Sequence, residues 1–388
     1  MNNSNSMFAR ATPILFGALF LIGLVAPFAV YPTFLMKILC FGLFACAFNL
    51  LLGFAGLLSF GHAAFLGSAG YVCGMLVRDA GVTPEVGIIG GTLAAGALGW
   101  VVGVLAIRRT GIYFAMITLA LSQMVYFVVL QWKATGGEDG LQGVPRGHLF
   151  GVIDLSNNIA MYYLVFAVFC IGFFIIYRAI HSPFGQILKA IRENEPRAIS
   201  LGYDVAKFKL LAFVLSAALA GTAGATKTLV FQLASLTDVH WSMSGEVVLM
   251  TLVGGLGTVF GPIAGAIVIV SMQNYLAELG AWVTVVQGVI FVVCLIGGFV
   301  AVLHLKTPSG AKNEDHARAE SRYTDLTSFP NLPSLYFPVE NGDPSAYADA
   351  TARLARVIMN QIGKADPGSP APTETPEAEI SAKPPVTT

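Results

Sequence analysis

The stretch GFAGLLSFGHAAFLGSAGYV, residues 53–72, is apolar, yet it contains five glycines and a single ionisable side chain, His62. A glycine inside a helix costs about 1 kcal/mol relative to alanine. In lipid, however, small residues let helix backbones approach closely, and glycine clusters also mark breaks in membrane helices. The stretch therefore predicts a closely packed or broken membrane helix, with Gly56, Gly61 and Gly67 at its contacts or breaks.

The composition divides the chain into an apolar body and a polar tail. Hydrophobic residues make up 55% of the chain and charged residues only 11%, whereas a soluble domain carries about 25% charged residues. Residues 306–388 hold 11 of the 19 prolines, although residues 345–363 have the spacing of one amphipathic helix. We expect a transmembrane domain over residues 1–305 and a largely disordered tail after it.

Nine apolar runs approach the roughly 20 residues that a helix needs to cross a bilayer. They lie at about 11–31, 33–52, 54–77, 86–107, 111–131, 160–180, 209–231, 246–270 and 282–303. Because backbone groups in lipid must be satisfied within the helix, we predict an all-α, polytopic helical bundle of about 8–10 spans. The run VGGLGTVFGP, residues 253–262, predicts a break into two short helices around Gly255, Gly261 and Pro262.

Basic residues predict which ends of the spans face the cytoplasm. Arg108 and Arg109 lie between two spans, and six Lys or Arg side chains lie within residues 178–209. Two spans separate these positions, so both fall on the same side, which we take as the inside. The loop 132–159 then lies outside. If the run 246–270 crosses the membrane once, the basic tail ends outside. If it forms two short helices joined at residues 253–262, the tail ends inside.

The segment HSPFGQILKAIRENEPRAISLGYDVAKF, residues 181–208, has the pattern of two short amphipathic helices at the inner surface. Pro183 suits a first helical turn, and Gly202 suits the end of the second helix. On pattern alone the segment is either a positively charged surface loop without a partner or a docking site for a cytosolic protein.

Several separated motifs resemble the branched-chain amino acid ABC transporter permease family. Glu195, Ala198 and Gly202 resemble the E-x-x-A-x-x-x-G docking motif of ABC importers, although the Leu-Pro expected downstream is absent, since residues 214–215 are Val-Leu. The stretches SPFGQILKAIREN (182–194), GLLSFGHAAFLGSAGYV (56–72), TGGEDGLQGVP (135–145) and GTVFGPIAGA (257–266) are similar to family motifs. The resemblance covers about residues 30–300, and the tail lies beyond it.

The resemblance implies a permease subunit of an ATP-driven importer in the bacterial inner membrane. Its partners would be a second permease, two cytosolic ATPase subunits, a periplasmic binding protein and membrane lipid, with no nucleic acid. ATP and Mg would be bound by the ATPase subunits, and this chain would need no cofactor. The residues implied in coupling to the ATPases are Lys189, Arg192, Glu193, Glu195, Arg197, Ala198 and Gly202.

Polar residues inside the spans are candidates for the substrate path, because polar groups are costly in lipid. These candidates are Asn49, Ser59, His62, Ser122 and Gln123. His62 has two readings: it faces the path, or it is a neutral imidazole bonded to the backbone of a neighbouring helix.

The run AFVLSAALAGTAGATKT, residues 212–228, places Ala217, Gly221 and Ala225 four residues apart, a spacing typical of helix–helix packing. Its end superficially resembles a phosphate-binding loop, but Thr226 precedes Lys227 where the motif requires glycine, so no ATP site is predicted. No metal-ligand spacing or catalytic cluster is visible either. The alternatives left open are a permease for urea, amides or another small solute, a stand-alone secondary transporter or channel, and a membrane enzyme.

Overall fold

The computed structural model describes residues 20–276 except 22, 150 and 152, together with seven residues between 285 and 296. The predicted tail, residues 306–388, and its predicted helix at 345–363 lie outside the described residues. The first and last predicted spans, 11–31 and 282–303, are described only in part.

The described part is a helical bundle, which confirms the predicted fold class. Its helices are α1 (Pro32–Asn49), α2 (His62–Arg78), α3 (Pro84–Ala106), α4 (Ile112–Gln131), α5 (Asn158–His181), α6 (Pro183–Glu193), α7 (Glu195–Ser200), α8 (Val205–Phe231), α9 (Trp241–Gly254) and α10 (Gly261–Tyr275). Five of the described helices, namely α1 with its extension to Ala55, α3, α4, α5 and α8, are long and apolar enough to cross a membrane.

Helices α1 and α8 form the centre of the bundle. Helix α1 packs against α5, α8, α9 and α10, and α8 packs between α2 and α3. Proline in the first turn favours the start of α1 and of α3, at Pro32 and Pro84, because proline needs no hydrogen-bond acceptor there. Helices α3 and α4 carry large exposed apolar side chains, as expected of helices that face lipid.

Two of the predicted spans are broken. The run predicted at 54–77 starts as a π-helical turn, Leu50–Ala55, continues without helix through residues 56–61, and becomes helical again at His62. The run predicted at 246–270 consists of α9 and α10 with a break at residues 255–260. The glycine-rich breaks that the sequence predicted are therefore present in the structure.

Short strands identify the loops that share one face of the bundle. Strand β1 (Leu141–Gln142) pairs antiparallel with β4 (Leu233–Ala234), and β2 (His148–Leu149) pairs with β3 (Ile153–Asp154). The β1–β4 pair joins the loop after α4 to the end of α8, so these two ends lie on one side. Because α6 and α7 precede α8, they lie at its other end, and the basic residues there mark that end as cytoplasmic.

Candidate functional site

Helices α6 and α7 lie at the end of the bundle that the basic residues predict to be cytoplasmic. The Ser182 hydroxyl oxygen caps α6 by accepting the N–H of Gly185 at 3.4 Å, and Pro183 occupies the first turn. Leu188 and Ile191 lie on the buried side of α6. This amphipathic pattern holds the helix against the bundle while its opposite face meets water.

Polar contacts tie α7 to its neighbours on both sides. The Asn194 side chain caps α7 by accepting the N–H of Arg197 at 3.0 Å. Glu195 Oε1 pairs with Lys209 Nζ at 2.8 Å, and the Lys209 side chain is buried. Ala198 is also buried, in a small apolar cluster with residues of α6 and α8. These contacts hold α7 against α6 and the first turns of α8.

Gly202 adopts the left-handed conformation just after α7, with φ of 86°. Its N–H donates to the carbonyl oxygen of Ile199 at 2.9 Å. An added Cβ would have no atom within 4 Å, so the glycine is required by backbone conformation and not by space. An L side chain there costs about 1–2 kcal/mol.

Three large apolar side chains on and just after α7 are exposed. Ile199 is 58% exposed, Leu201 67% and Tyr203 41%. We call these three residues the α7 patch. Glu193 and Arg197 are exposed beside it. Apolar groups clustered on a water-facing surface mark sites of protein contact.

Arg192 connects α6 to the π-helical turn before the first helix break, because its guanidinium donates to the carbonyl oxygen of Gly53. Asn49, the last residue of α1, contacts the second break: its Nδ2 donates to the Thr258 carbonyl at 2.8 Å and its Oδ1 accepts the Gly257 N–H at 3.0 Å. We call these five residues the inner junction. The π-helical turn begins after Asn49 and contains Gly53, so its backbone links the two sets of hydrogen bonds, and α6, α1 and the α9–α10 break meet at this junction.

A cavity of about 370 Å³ adjoins the inner junction. Lys189 and Glu193 line it together with Arg192, and the Lys189 ammonium lies 5.6 Å from the centre of the Phe54 ring. Of the predicted coupling residues, Lys189 and Arg192 thus contact the membrane helices, while Glu193 and Arg197 are exposed.

His62 is fully buried at the start of α2, where the Phe48, Phe65 and Phe213 rings surround it. Its Nε2 lies 2.9 Å from Ser216 Oγ, and Ser216 Oγ donates to the carbonyl oxygen of Ala47 at 2.5 Å. Because that hydroxyl has one hydrogen, already donated, His62 must donate from Nε2. The imidazole is therefore linked to the backbone of α1 through Ser216, and a place on the substrate path stays a prediction.

The first N–H groups of α2 are satisfied by hydroxyl groups from other parts of the bundle. The N–H of Phe60 donates to Thr118 Oγ1 at 3.2 Å, and that of Ala63 donates to Ser244 Oγ at 2.9 Å. Ser59 Oγ, a predicted path atom, accepts the N–H of Gly61 at 3.2 Å. The N–H groups at the start of a helix lack partners within the helix, and inside the bundle water does not supply them. These bonds satisfy such groups and so stabilise a helix start there.

Two predicted path residues on α4 carry buried polar atoms without a hydrogen-bond partner among the described residues. They are Ser122 Oγ and Gln123 Nε2. A buried polar group without a partner costs about 1–3 kcal/mol, and a contact of these atoms with a passing substrate stays a prediction. Asn49, by contrast, is already engaged in the inner junction.

The small residues predicted at contacts or breaks occupy both kinds of position. Gly67 lies against Val239, and Gly221 lies against Ala95, where an added methyl group would overlap its neighbour. The remaining predicted positions lie at the ends of the broken helices: Gly56, Gly61, Gly255, Gly261 and Pro262.

Sequence reasoning did not assign a role to the charged residues at the outer end of the bundle. Lys227 Nζ pairs with Asp238 Oδ1, and both side chains are largely buried. Lys37 lies within electrostatic range of this pair and of Glu246. The signal that could have found them is their position, since Lys37 and Lys227 lie inside predicted spans, where ionisable residues are rare.

We expect Asp238→Asn to lower the free energy of unfolding by about 2 kcal/mol, because it leaves the Lys227 ammonium largely buried without its anion. Thermal unfolding of the purified chain in detergent measures the change. The double variant Asp238→Asn with Lys227→Met serves as the control and should recover most of the loss. An unchanged unfolding temperature in the single variant would contradict the expectation.

Comparisons with known proteins agree on one family. A family model described as the permease component of the branched-chain amino acid transport system matches residues 31–295. The high-affinity branched-chain amino acid transport system permease protein LivM of Escherichia coli K12 is 26% identical over 295 residues, which cover 70% of this chain and 69% of that protein. The L-arabinose ABC transporter permease protein AraH of Azospirillum brasilense is 29% identical over 207 residues, which cover 50% of this chain and 57% of that protein. No solved structure matches the chain significantly.

Proposed function

The chain belongs to the branched-chain amino acid transport system permease family, and from this premise we propose that it carries branched-chain or related amino acids across the membrane. It is a multi-pass ABC permease of the bacterial inner membrane, and such permeases are not catalytic. In the proposed assembly it pairs with a second permease, two cytosolic ATPase subunits and a periplasmic binding protein. ATP and Mg bind to the ATPase subunits.

The observation that carries the proposal is the continuous connection from the α7 patch to the inner junction. The exposed α7 patch offers an ATPase subunit an apolar surface, with Glu193 and Arg197 beside it. The ion pair between Glu195 and Lys209 passes a push on α7 to α8. Arg192 passes it to the π-helical turn at residues 50–55, and Asn49 joins the start of that turn to the break at residues 255–260. Force applied at the surface thus reaches the parts of the bundle where helices are already interrupted.

Uptake in the native host tests the proposed cargo. We expect deletion of the gene to abolish ATP-dependent, high-affinity uptake of L-leucine, L-isoleucine or L-valine, and the intact gene to restore it. Urea, acetamide and L-arabinose are measured in parallel, the sugar because one relative is named for it. If the deletion abolished uptake of only one of these three compounds, that compound and not an amino acid would be the cargo. If the purified chain transported its cargo in liposomes without ATP or partners, the proposal that it is a subunit of an ATP-driven importer would be wrong.

Glu195→Lys is expected to lower amino-acid uptake by about tenfold while the chain still inserts in the membrane. The substitution breaks the ion pair with Lys209 and places two ammonium groups side by side, which separates α7 from α8. Uptake and the quantity of the chain in the membrane are both measured. Glu138→Lys, the same charge change on the outer loop, is the control and should transport normally. Undiminished uptake by Glu195→Lys would argue against the role of α7 in coupling.

A further inference from the structure

A cavity of about 540 Å³ opens at the outer end of the bundle, among the ends of α1, α8 and α10. Aromatic side chains form much of its wall, and Phe34 and Tyr275 meet edge to face with ring centres 6.0 Å apart. Lys37, Asn274 and Thr33 add polar groups to it, besides the phenol groups of Tyr31 and Tyr275. The cavity therefore combines aromatic rings with one positive charge, one amide and several hydroxyl groups.

Lys37 and Glu246 attract one another, yet neither forms an ion pair with any residue that the structure describes. Lys37 is half-buried and within electrostatic range of Glu246. Glu246 Oε2 accepts a hydrogen bond from Gln273 Nε2 at 2.9 Å, and Gln273 immediately precedes Asn274 of the cavity wall. The neighbouring charges Lys227 and Asp238, by contrast, are paired with each other.

A cavity that offers an unpaired cation, an amide oxygen and an aromatic wall suits a ligand with two opposite charges and an apolar group. A half-buried charge at membrane depth is costly unless it is paired or binds something. An α-amino acid at neutral pH carries a carboxylate and an ammonium on the same α-carbon, and a branched-chain one adds an apolar side chain. Its carboxylate would complement Lys37, its ammonium the Asn274 amide oxygen, and its side chain the aromatic wall.

We propose that this outer cavity binds a zwitterionic amino acid as it enters the permease, with its carboxylate on Lys37 and its ammonium on the Asn274 amide oxygen. The inference rests on the proposed function, because it takes the cargo to be an amino acid, and it adds where that cargo is first held. A role of the charges in folding alone is the competing explanation. Charges that only stabilise the fold would be expected to form ion pairs within the chain, as Lys227 and Asp238 do, whereas Lys37 forms none with the described residues.

Direct binding to the full-length chain in lipid nanodiscs tests the proposal. The probe is L-leucine at millimolar concentration, detected by saturation-transfer NMR of its methyl groups. We expect Lys37→Met and Asn274→Ala each to weaken binding by about tenfold, the effect of losing one charge-assisted contact, and Lys37→Arg to retain most of it. The control is the double variant Lys133→Met with Glu138→Gln, which removes an exposed pair of charges on the outer loop and should bind like the wild type.

A second measurement uses the wild-type chain and so does not depend on the folding of any variant. Two analogues of leucine each lack one charge: 4-methylpentanoate lacks the ammonium, and 3-methylbutylamine lacks the carboxylate. We expect each to bind about tenfold more weakly than L-leucine. If either analogue bound as tightly as L-leucine, or if Lys37→Met and Asn274→Ala both kept wild-type affinity, the proposed site would be overturned. If cells take up L-leucine through this permease but the chain binds none, the site is wrong and the proposed function stands. If cells show no such uptake, the proposed function fails first.

Discussion

Replacing Gly224 with alanine is expected to lower the free energy of unfolding by about 3 kcal/mol or more, because no space exists for a methyl group at this point. Gly224 lies where α8 crosses α2. An added Cβ would overlap the carbonyl oxygen of Leu66 and lie 2.7 Å from its carbonyl carbon. Both atoms belong to the backbone of α2, so no side-chain rotation relieves the overlap. Helices α2 and α8 would have to separate, and the contacts along both would weaken together.

Gly96→Ala provides a matched control for this prediction. Gly96 lies on α3, which also packs against α8, and the nearest atom to an added Cβ is the Ala218 Cβ at 3.6 Å, an ordinary contact. The same chemical change should therefore be neutral or stabilise the chain by up to about 1 kcal/mol, through the better helix propensity of alanine. Thermal unfolding in detergent, followed by circular dichroism, compares the two variants. Equal unfolding temperatures would contradict close packing at Gly224.

Local patterns predicted the helices and the breaks because these depend on neighbouring residues. The length of the apolar runs predicted the long spans, and the run of glycines ending at Pro262 predicted the break between α9 and α10. The predicted start of α2 was less accurate, because the span was predicted to begin at residue 54, whereas the α-helix begins at His62. Residues 54–61 are apolar whether they form a helix or an unwound segment, so apolarity does not distinguish the two. The sequence also does not show that Thr118 and Ser244, on distant helices, accept hydrogen bonds from the N–H groups of Phe60 and Ala63.

The partners of the polar residues could not be predicted, because they come from parts of the sequence far away. Asn49 was selected as a path residue for being polar, yet its amide holds residues 257–258, more than 200 positions later in the chain. Arg192 was selected from its motif, and the structure adds that it contacts Gly53. A single sequence shows which residues are costly to bury, but the residues that compensate the cost depend on the fold.

Arg192→Met is expected to lower amino-acid uptake by about 10- to 100-fold while the chain still inserts and binds its ATPase partners. The substitution keeps the aliphatic stem but removes the guanidinium that donates to the Gly53 carbonyl, and a hydrogen bond to a charged group contributes about 1.5–3 kcal/mol. Without that bond, α6 can move without moving the helix breaks, so ATP hydrolysis would continue uncoupled from transport. Uptake and ATPase activity are measured on the same membranes. The control, Arg178→Met, removes an exposed guanidinium near the cytoplasmic end of α5.

Combining Arg192→Met with Asn49→Ala tests whether the inner junction acts as a unit. The two substitutions interrupt different contacts of the junction, one between Arg192 and Gly53 and the other between Asn49 and residues 257–258. If movement passes through both contacts in series, the first break already disconnects α6 from the α9–α10 break, so the double variant should lose little more uptake than either single variant. If the fold-losses of uptake in the two single variants instead multiply in the double variant, the two contacts transmit movement by independent routes. Normal uptake by Arg192→Met would exclude Arg192 as the link, and force would then have to reach the helix breaks through α7 and α8 alone.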